Sequence, residues 1–444
     1  MGFYLTLLYL VFMILSPATL LPELAPYRLQ WVVAGLATLT TATLLPVYGY
    51  PIRNRQVILM VLFFGYIPLT RLLRGWMGGA MFAVAEFGTI ALVFFLLCAG
   101  RPSLKLLRAL AVALTLPALY AGFRGILALA TGLEKETYVL DQNLWDNVNI
   151  TVLGVVERIR YVGSFSDPND LAQYFLVVLP FVALLWKPRS PLRNFGLVVP
   201  LVSYLLVCCY LTHSRGSILG LLAIAMIYSS RVFNKTVMLF ASAALGVALL
   251  GANFAGGRSM SFGSGADRIE AWGAGLTMLR NSPVWGIGFG QFTDHNDITA
   301  HNSFVLCFAE LGLVGFFLWL GMLISTLIGL GQFLRHFRTV AGAETLVRWA
   351  GAVQVSLIGF LATSWFLSRT YSVLLYVLLA MWVMLERLGA AHMATTPADA
   401  AVAPQPTRFA SRPTKPWRWV PVTVSTQFGC LLLIWVLVRA RWTQ

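Results

Sequence analysis

Three short polar interruptions in an otherwise apolar chain hold the residues that could do chemistry. The corner LTHSRGSILG places His213, Ser214 and Arg215 between two apolar runs. A guanidinium at such a boundary is costly unless it meets an anion or water, and arginine offers two parallel hydrogen bonds to phosphate oxygens. Two readings stand there: a side chain reaching up to lipid headgroups, and the one we favour, a contact to a lipid-borne diphosphate. The stretch ERIRYVGSFSDPNDLAQYF contains Asp167-Pro168-Asn169-Asp170, a turn that opens a helix. It reads either as a plain cap or, with Arg158 and Arg160 just upstream, as an anion site at a helix N-terminus.

The third interruption is the longest in the second half of the chain. It reads DRIEAWGAGLTMLRNSPVWGIGFGQFTDHNDITAHNSFVLCFAELGLVGFF, from Asp267 to Phe317, and with the residues just before it supplies Arg258, Arg268 and Arg280 as cations. Ile269, Trp272, Leu276 and Leu279 recur at helical spacing, which sets Arg268 on the polar side of a first turn. Asn281-Ser282-Pro283 stops that helix. Gly286, Gly288 and Gly290 follow without a strand before them or a lysine-bearing helix after them, so close backbone packing is expected rather than a nucleotide cradle. His301-Asn302-Ser303 opens a long apolar run and puts an imidazole at the membrane interface. It is either part of a cap or a general base, the neutral ring being suited to take a hydroxyl proton near neutral pH. Asp294, His295, Asp297 and His301 have the composition of a metal set but not its spacing, and no metal is expected.

These loops must be positioned by a membrane scaffold. With 58% hydrophobic residues, 11% charged residues and a mean hydropathy of +0.77, the 444-residue chain lacks the polar surface of a soluble globule. The net charge of +15 reads as a positive-inside bias and affinity for anionic lipid, not for nucleic acid. Cys98, Cys208, Cys209, Cys307 and Cys430 all lie in apolar runs and give no disulfide or metal spacing. The opening MGFYLTLLYLVFMILS lacks a basic region and a cleavage site, so it reads as a first helix.

The fold class is therefore all-α and polytopic. About twelve spans of about 20 residues each are expected, near 3–21, 29–47, 57–73, 79–98, 106–130, 170–186, 195–212, 216–230, 236–254, 302–330, 349–367 and 371–389, with a possible thirteenth at 422–438. The division expected is an N-terminal helical part, 1–130; a core, 131–390, carrying outer loops 131–170 and 255–301, the latter helical; and a cytoplasmic tail, 391–444. Basic, nearly acid-free connections at 51–56, 101–108, 187–194, 231–235 and 335–348 place that face in the cytoplasm and the three polar interruptions outside. The helices read as nearly charge-free apart from Glu86, Arg124 and Glu310. Glu310 either joins helices or orients His301, although nine residues along a helix, about 13.5 Å, is too far for direct contact.

SFSDPNDLAQYF, LTHSRGSILGLL and the Asp267–Phe317 stretch together resemble, in order, the three signature blocks of the bacterial O-antigen ligase and O-antigen polymerase superfamily. The resemblance implies a metal-independent, cofactor-free glycosyltransferase of the bacterial inner membrane with its active site facing the periplasm. Its essential arginines then fall on Arg215 and Arg268, a further one on Arg160, and its essential histidine on His301. Arg258 is expected as another diphosphate contact, and Asn169 and Asn302 as supports. The implied partners are an undecaprenyl-diphosphate-linked glycan as donor, lipid A-core as acceptor, and membrane lipids, with no nucleic acid. O-antigen ligase is favoured; a polymerase or a protein O-oligosaccharyltransferase shares the same blocks. A transporter of the same lipid-linked glycan is the reading from a different class, and it would want charges along the spans rather than a base at the outer interface.

Overall fold

The computed structural model describes residues 1–43, 45, 50–100, 102–145, 152–229, 244–249, 262–395 and 417–442. The principal helices are α1 (Gly2–Leu15), α2 (Leu29–Ala42), α3 (Arg55–Leu72), α4 (Met77–Ala99), α5 (Leu104–Thr131), α6 (Pro168–Ala183), α7 (Val199–Leu211), α8 (Arg215–Ser229), α9 (Phe262–Asn281), α10 (Ser303–Phe337), α11 (Glu344–Ser364), α12 (Val373–Thr395) and α13 (Trp419–Trp442). Among the described residues eight helices are long and apolar enough to cross a membrane: α3, α4, α5, the run Pro191–Leu211 that ends in α7, and α10 to α13.

Eight among the described residues does not confirm the twelve expected, in part because some of the expected spans meet shorter helices. A hydrocarbon core is about 30 Å thick. Helices α1 and α2 have 14 residues each, so at about 1.5 Å per residue they rise only about 21 Å; α8 is described over 15 residues, up to Ser229. Helix α1 stops because Ser16 turns left-handed (φ 49°) and Pro17 follows. Helix α6 has 16 residues. The expected span at 236–254 lies outside the described residues except for 244–249. The apolar run near the end of the chain forms α13, long enough to span.

The outer loop 131–170 holds an antiparallel hairpin that composition did not suggest. Strands β1 (Val139–Trp145) and β2 (Val152–Ile159) pair with Val139 opposite Ile159, and the register slips between Leu144 and Trp145. Valine and isoleucine dominate β2, as a pleated, half-buried surface favours.

The chain divides into two compact units. The first comprises Met1–Thr40, Arg108–Ala266 and Ala352–Leu367; the second comprises Thr41–Leu107, Asp267–Gly351 and Ser368–Gln444. In the first, buried Gln173 of α6 donates to the Thr363 hydroxyl of α11 (2.7 Å), and Tyr174 donates to the Leu114 carbonyl of α5 (2.5 Å). A Cβ on Gly220 would meet Leu176 at 2.5 Å and Thr363 at 2.8 Å, so α8 approaches α6 and α11 as closely as glycine permits.

The second unit is built on a broken helix. Gly312 has φ 63° inside α10, and the carbonyls freed around it accept from a different segment. Ile287 N–H donates to Ala309 and Gly288 N–H to Glu310, both at 2.9 Å, while Leu313 N–H donates to Pro283 (2.8 Å). The Gly286–Gly290 segment thus docks backbone to backbone on α10, as its glycine spacing suggested. Gly286 (φ 67°) and Gly312 face each other: a Cβ on either would enter the other's backbone or that of its neighbours. We expect Gly312→Ala to destabilise the detergent-solubilised protein by about 1–3 kcal/mol or more, combining overpacking with a left-handed alanine. Thermal unfolding followed by size-exclusion peak height would detect it; a melting curve equal to wild type would contradict the contact.

Candidate functional site

The candidate residues fall into two clusters, one in each compact unit. In the first unit the organiser is Arg158 on β2, which is 3% exposed. Its Nε donates to the Thr212 carbonyl (2.8 Å), one terminal nitrogen to Gln142 Oε1 (2.9 Å) and the other to Asn169 Oδ1 (2.9 Å). One guanidinium therefore ties the hairpin to the turn that starts α6 and to the corner that starts α8. Asn169 is held in turn by Asp167, whose Oδ1 accepts from the Asn169 backbone N–H (2.7 Å) and side-chain N–H (2.8 Å). Asp167 is the N-cap of α6, with Pro168 in the first turn.

The corner itself is tight. His213 is left-handed (φ 46°), Ser214 is 1% exposed, and Ser217 donates to the Ser214 carbonyl (2.6 Å). Arg215 is the first residue of α8 and is partly buried. A guanidinium at a helix N-terminus stands beside backbone N–H groups that have no partner within the helix. Arg160 sits elsewhere on the hairpin. Its backbone N–H pairs with Tyr138 (2.8 Å), its guanidinium donates to the Glu136 carbonyl (2.5 Å), and it lines a cleft of about 750 Å³ with Lys135, Glu134, Glu136 and Asp141. Burial pushes the neighbouring Tyr138 phenol above its ordinary pKa, so it stays neutral.

In the second unit the cluster forms where α9 meets the start of α10. Trp272 of α9 donates its indole N–H to the Ala300 carbonyl (3.0 Å), the residue before His301. Arg268 lies one turn before Trp272 on the same helix. His301 is left-handed (φ 45°) and partly buried. Left-handed backbone is uncommon outside glycine, with asparagine, aspartate and histidine the side chains that take it more often. Asn302, fully buried, caps that helix by accepting from Phe304 N–H (2.9 Å) and Val305 N–H (3.1 Å).

The loop after α11 clamps the same block. Ser303 Oγ accepts from Arg369 N–H (2.8 Å), Thr370 donates to the Ser303 carbonyl (2.7 Å), and Thr299 donates to Ser368 Oγ (2.8 Å). Tyr371 donates to Glu310 Oε2 (2.8 Å), and the other Glu310 oxygen accepts from Phe292 N–H (3.1 Å). Desolvation first, and the Glu310 carboxylate second, push the Tyr371 phenol well above its ordinary pKa and keep it a donor. Glu310 thus secures the loop that leads to His301; it is a polar contact between segments.

Arg258 lies outside the described residues. His295 is exposed, with Nδ1 3.0 Å from the Gln291 carbonyl, and among the described residues no three His, Cys, Asp or Glu side chains converge. Sequence reasoning passed over three arginines. Arg158 was visible only as half of a pair with Arg160. Arg71, inside α3 and 3% exposed, donates Nε to the Phe289 carbonyl (2.5 Å), and Arg74 donates to the Gly286 carbonyl. The near-absence of charge expected of the helices does not hold for α3. A residue that serves backbone carbonyls leaves no mark in a motif scan.

At the far end of the chain, α13 reaches α9: Arg441 pairs with Glu270 at 3.1 Å, and Gly273 faces Val438. Among comparisons with known proteins, residues 200–320 match the family model described as O-antigen ligase. That segment contains Arg215, Arg268 and His301. No curated protein matches the chain.

Removing Arg158 takes away the donor to the Thr212 carbonyl, Gln142 and Asn169. Arg158→Ala is expected to cost about 1–3 kcal/mol, whereas Arg160→Ala, at the cleft, should cost far less. Parallel thermal melts of the two variants in one detergent would check the order; equal losses would mean that Arg158 does not organise the first cluster.

Proposed function

We propose, from the match of residues 200–320 to the O-antigen ligase family model in a chain with several helices long and apolar enough to cross a membrane, that the protein transfers a glycan from undecaprenyl diphosphate to a sugar hydroxyl of lipid A-core. The reaction takes place at the periplasmic face of the inner membrane. The observation that carries the reading is the Trp272–Ala300 hydrogen bond, which ties α9, the helix that bears Arg268, to the residue before His301.

The chemistry needs little beyond these groups. The acceptor oxygen attacks the anomeric carbon from the side opposite the leaving group, the bond from that carbon to the diphosphate oxygen breaks, and the configuration inverts. His301 takes the hydroxyl proton as the new bond forms. Diphosphate is already a good leaving group, so no strong acid is required. Arg215 and Arg268 are each suited to neutralise charge that develops on diphosphate oxygens, as fixed cations do efficiently. Arg158 and Asn302 act behind these groups, the first by fixing the corner that carries Arg215 and the second by fixing the helix start behind His301. No nucleotide is consumed.

His301→Ala should lower turnover by roughly 10²- to 10⁴-fold while the lipid-linked donor stays bound. Wild-type turnover should rise with pH as the imidazolium gives up its proton, because only the neutral ring accepts another. Product formation by both proteins across a pH series, in detergent with EDTA, measures this. Full activity of the variant would remove His301 from the mechanism, and loss of wild-type activity in EDTA would restore the metal reading of Asp294, His295, Asp297 and His301. A transporter would form no glycosidic product at any pH. Comparing lipid A-core with a second undecaprenyl-linked glycan as acceptor separates ligase from polymerase.

Arg215→Ala should lose about 2–4 kcal/mol of transition-state stabilisation. Lysine should restore only part, since a point charge cannot reproduce the two-pronged contact. Turnover near wild type in folded Arg215→Ala would mean that the arginine only reaches for headgroups.

A further inference from the structure

Helix α10 carries the His301 block at its first residue and Arg335 one turn from its last, so the two ends of this 35-residue helix serve different chemistry. At the Arg335 end the second unit holds a cavity of about 1060 Å³ into which Arg53, Arg55, Arg335 and Arg418 project. These arginines come from the connection before α3, the start of α3, the end of α10 and the start of α13. Only one carboxylate lines the cavity, Glu386, and Asn54 donates to it at 2.7 Å. Among the described residues none of the four arginines forms an ion pair. The chain leading into Trp417 does not supply the missing charge, since residues 396–416 contain Arg408, Arg412 and Lys415 against Asp399 alone. Four cations facing one carboxylate call for an anion from outside the chain.

The rest of the lining says what carries that anion. Ile58, Leu59 and Leu62 line the same cavity, three, four and seven residues beyond Arg55 along one side of α3. Ile58 is 46% exposed and Leu62 52%, which for large aliphatic side chains on a spanning helix means exposure to lipid chains. Charge at the helix end, followed by an open apolar stripe, has the layout of a headgroup with its acyl chains. Trp382, Trp417 and Trp419 add the amphipathic rings favoured at the depth where headgroup meets chain, and the Arg55 guanidinium lies 6.0 Å from the Trp419 ring centroid.

We propose that this cavity is a binding site for an anionic phospholipid, with the phosphate held by Arg53, Arg55, Arg335 and Arg418 and the acyl chains lying along Ile58 and Leu62 of α3. The site is independent of the glycosyl-transfer reading. The shared chemistry is a phosphate ester, and the apolar stripe makes its source a membrane lipid rather than a soluble phosphate.

The test is native mass spectrometry of the full chain after delipidation, titrated with phosphatidylglycerol or phosphatidylcholine of matched acyl chains, with and without millimolar inorganic phosphate. We expect phosphatidylglycerol to bind at least tenfold more tightly than phosphatidylcholine and inorganic phosphate to leave that binding unchanged. Both results are read on the wild type. Arg53→Gln combined with Arg335→Gln should bring phosphatidylglycerol down to the level of phosphatidylcholine, and the matching lysine pair should retain most of the preference. Equal binding of the two lipids by the wild type, displacement by inorganic phosphate, or undiminished preference in the folded glutamine pair would each overturn the proposal.

Discussion

The second unit depends on one backbone contact. Gly286 and Gly312 meet without a β-carbon on either side, and the break this makes in α10 frees carbonyls at Ala309 and Glu310 that the glycine segment then satisfies. In a membrane-spanning helix an unsatisfied carbonyl is costly, so the break and the docked segment require each other. Neither alone would be stable in hydrocarbon. Once the segment is docked, Tyr66 seals the junction by donating to the Val284 carbonyl (2.7 Å) and the Leu311 carbonyl (3.0 Å), and Arg71 and Arg74 hold the outward-facing carbonyls. The loop that ends at His301 therefore starts from a rigid platform.

Both clusters apply the same device to different residues. A left-handed histidine, His213 or His301, ends one segment just before a helix that begins within two residues. In each case a buried polar side chain behind the corner holds the start: Arg158 bonds to Thr212, and Asn302 caps α10. The backbone at each corner is thereby fixed. Positioning of this kind suits a reaction whose catalysis comes from charge placement rather than from a strong acid.

Much of this was legible from composition and pattern. The Asp167-Pro168-Asn169 cap, the helix from Asp267 to Asn281 and the start of a long helix after His301 follow from local rules of capping and period, and the structure has all three. The β1–β2 hairpin was not legible, because its strands show no strong alternation and its pairing is supported by tertiary contacts such as Arg158 to Thr212 and Asn169. The length of the first helix was misjudged for a similar reason. An apolar run continues through Ser16 and Pro17, and hydropathy counts residues without seeing the left-handed turn that ends the helix. Arg71 escaped notice because its partners are carbonyls, which every residue carries.

The pairing of α13 with α9 bears on how the protein is made. Glu270 and Gly273 find Arg441 and Val438 only after the stretch between them has left the ribosome, on the order of 8–30 s later at ordinary synthesis rates. Throughout that interval one face of the helix carrying Arg268 lacks a neighbour it has in the finished fold. The Arg441–Glu270 pair is exposed and contributes little on its own, so packing of the apolar α13 must do most of the joining. Completion of the packing around α9 is thus tied to insertion of one of the last helices, and a chain interrupted before Trp419 would carry every candidate catalytic residue and still lack the helix that packs on α9.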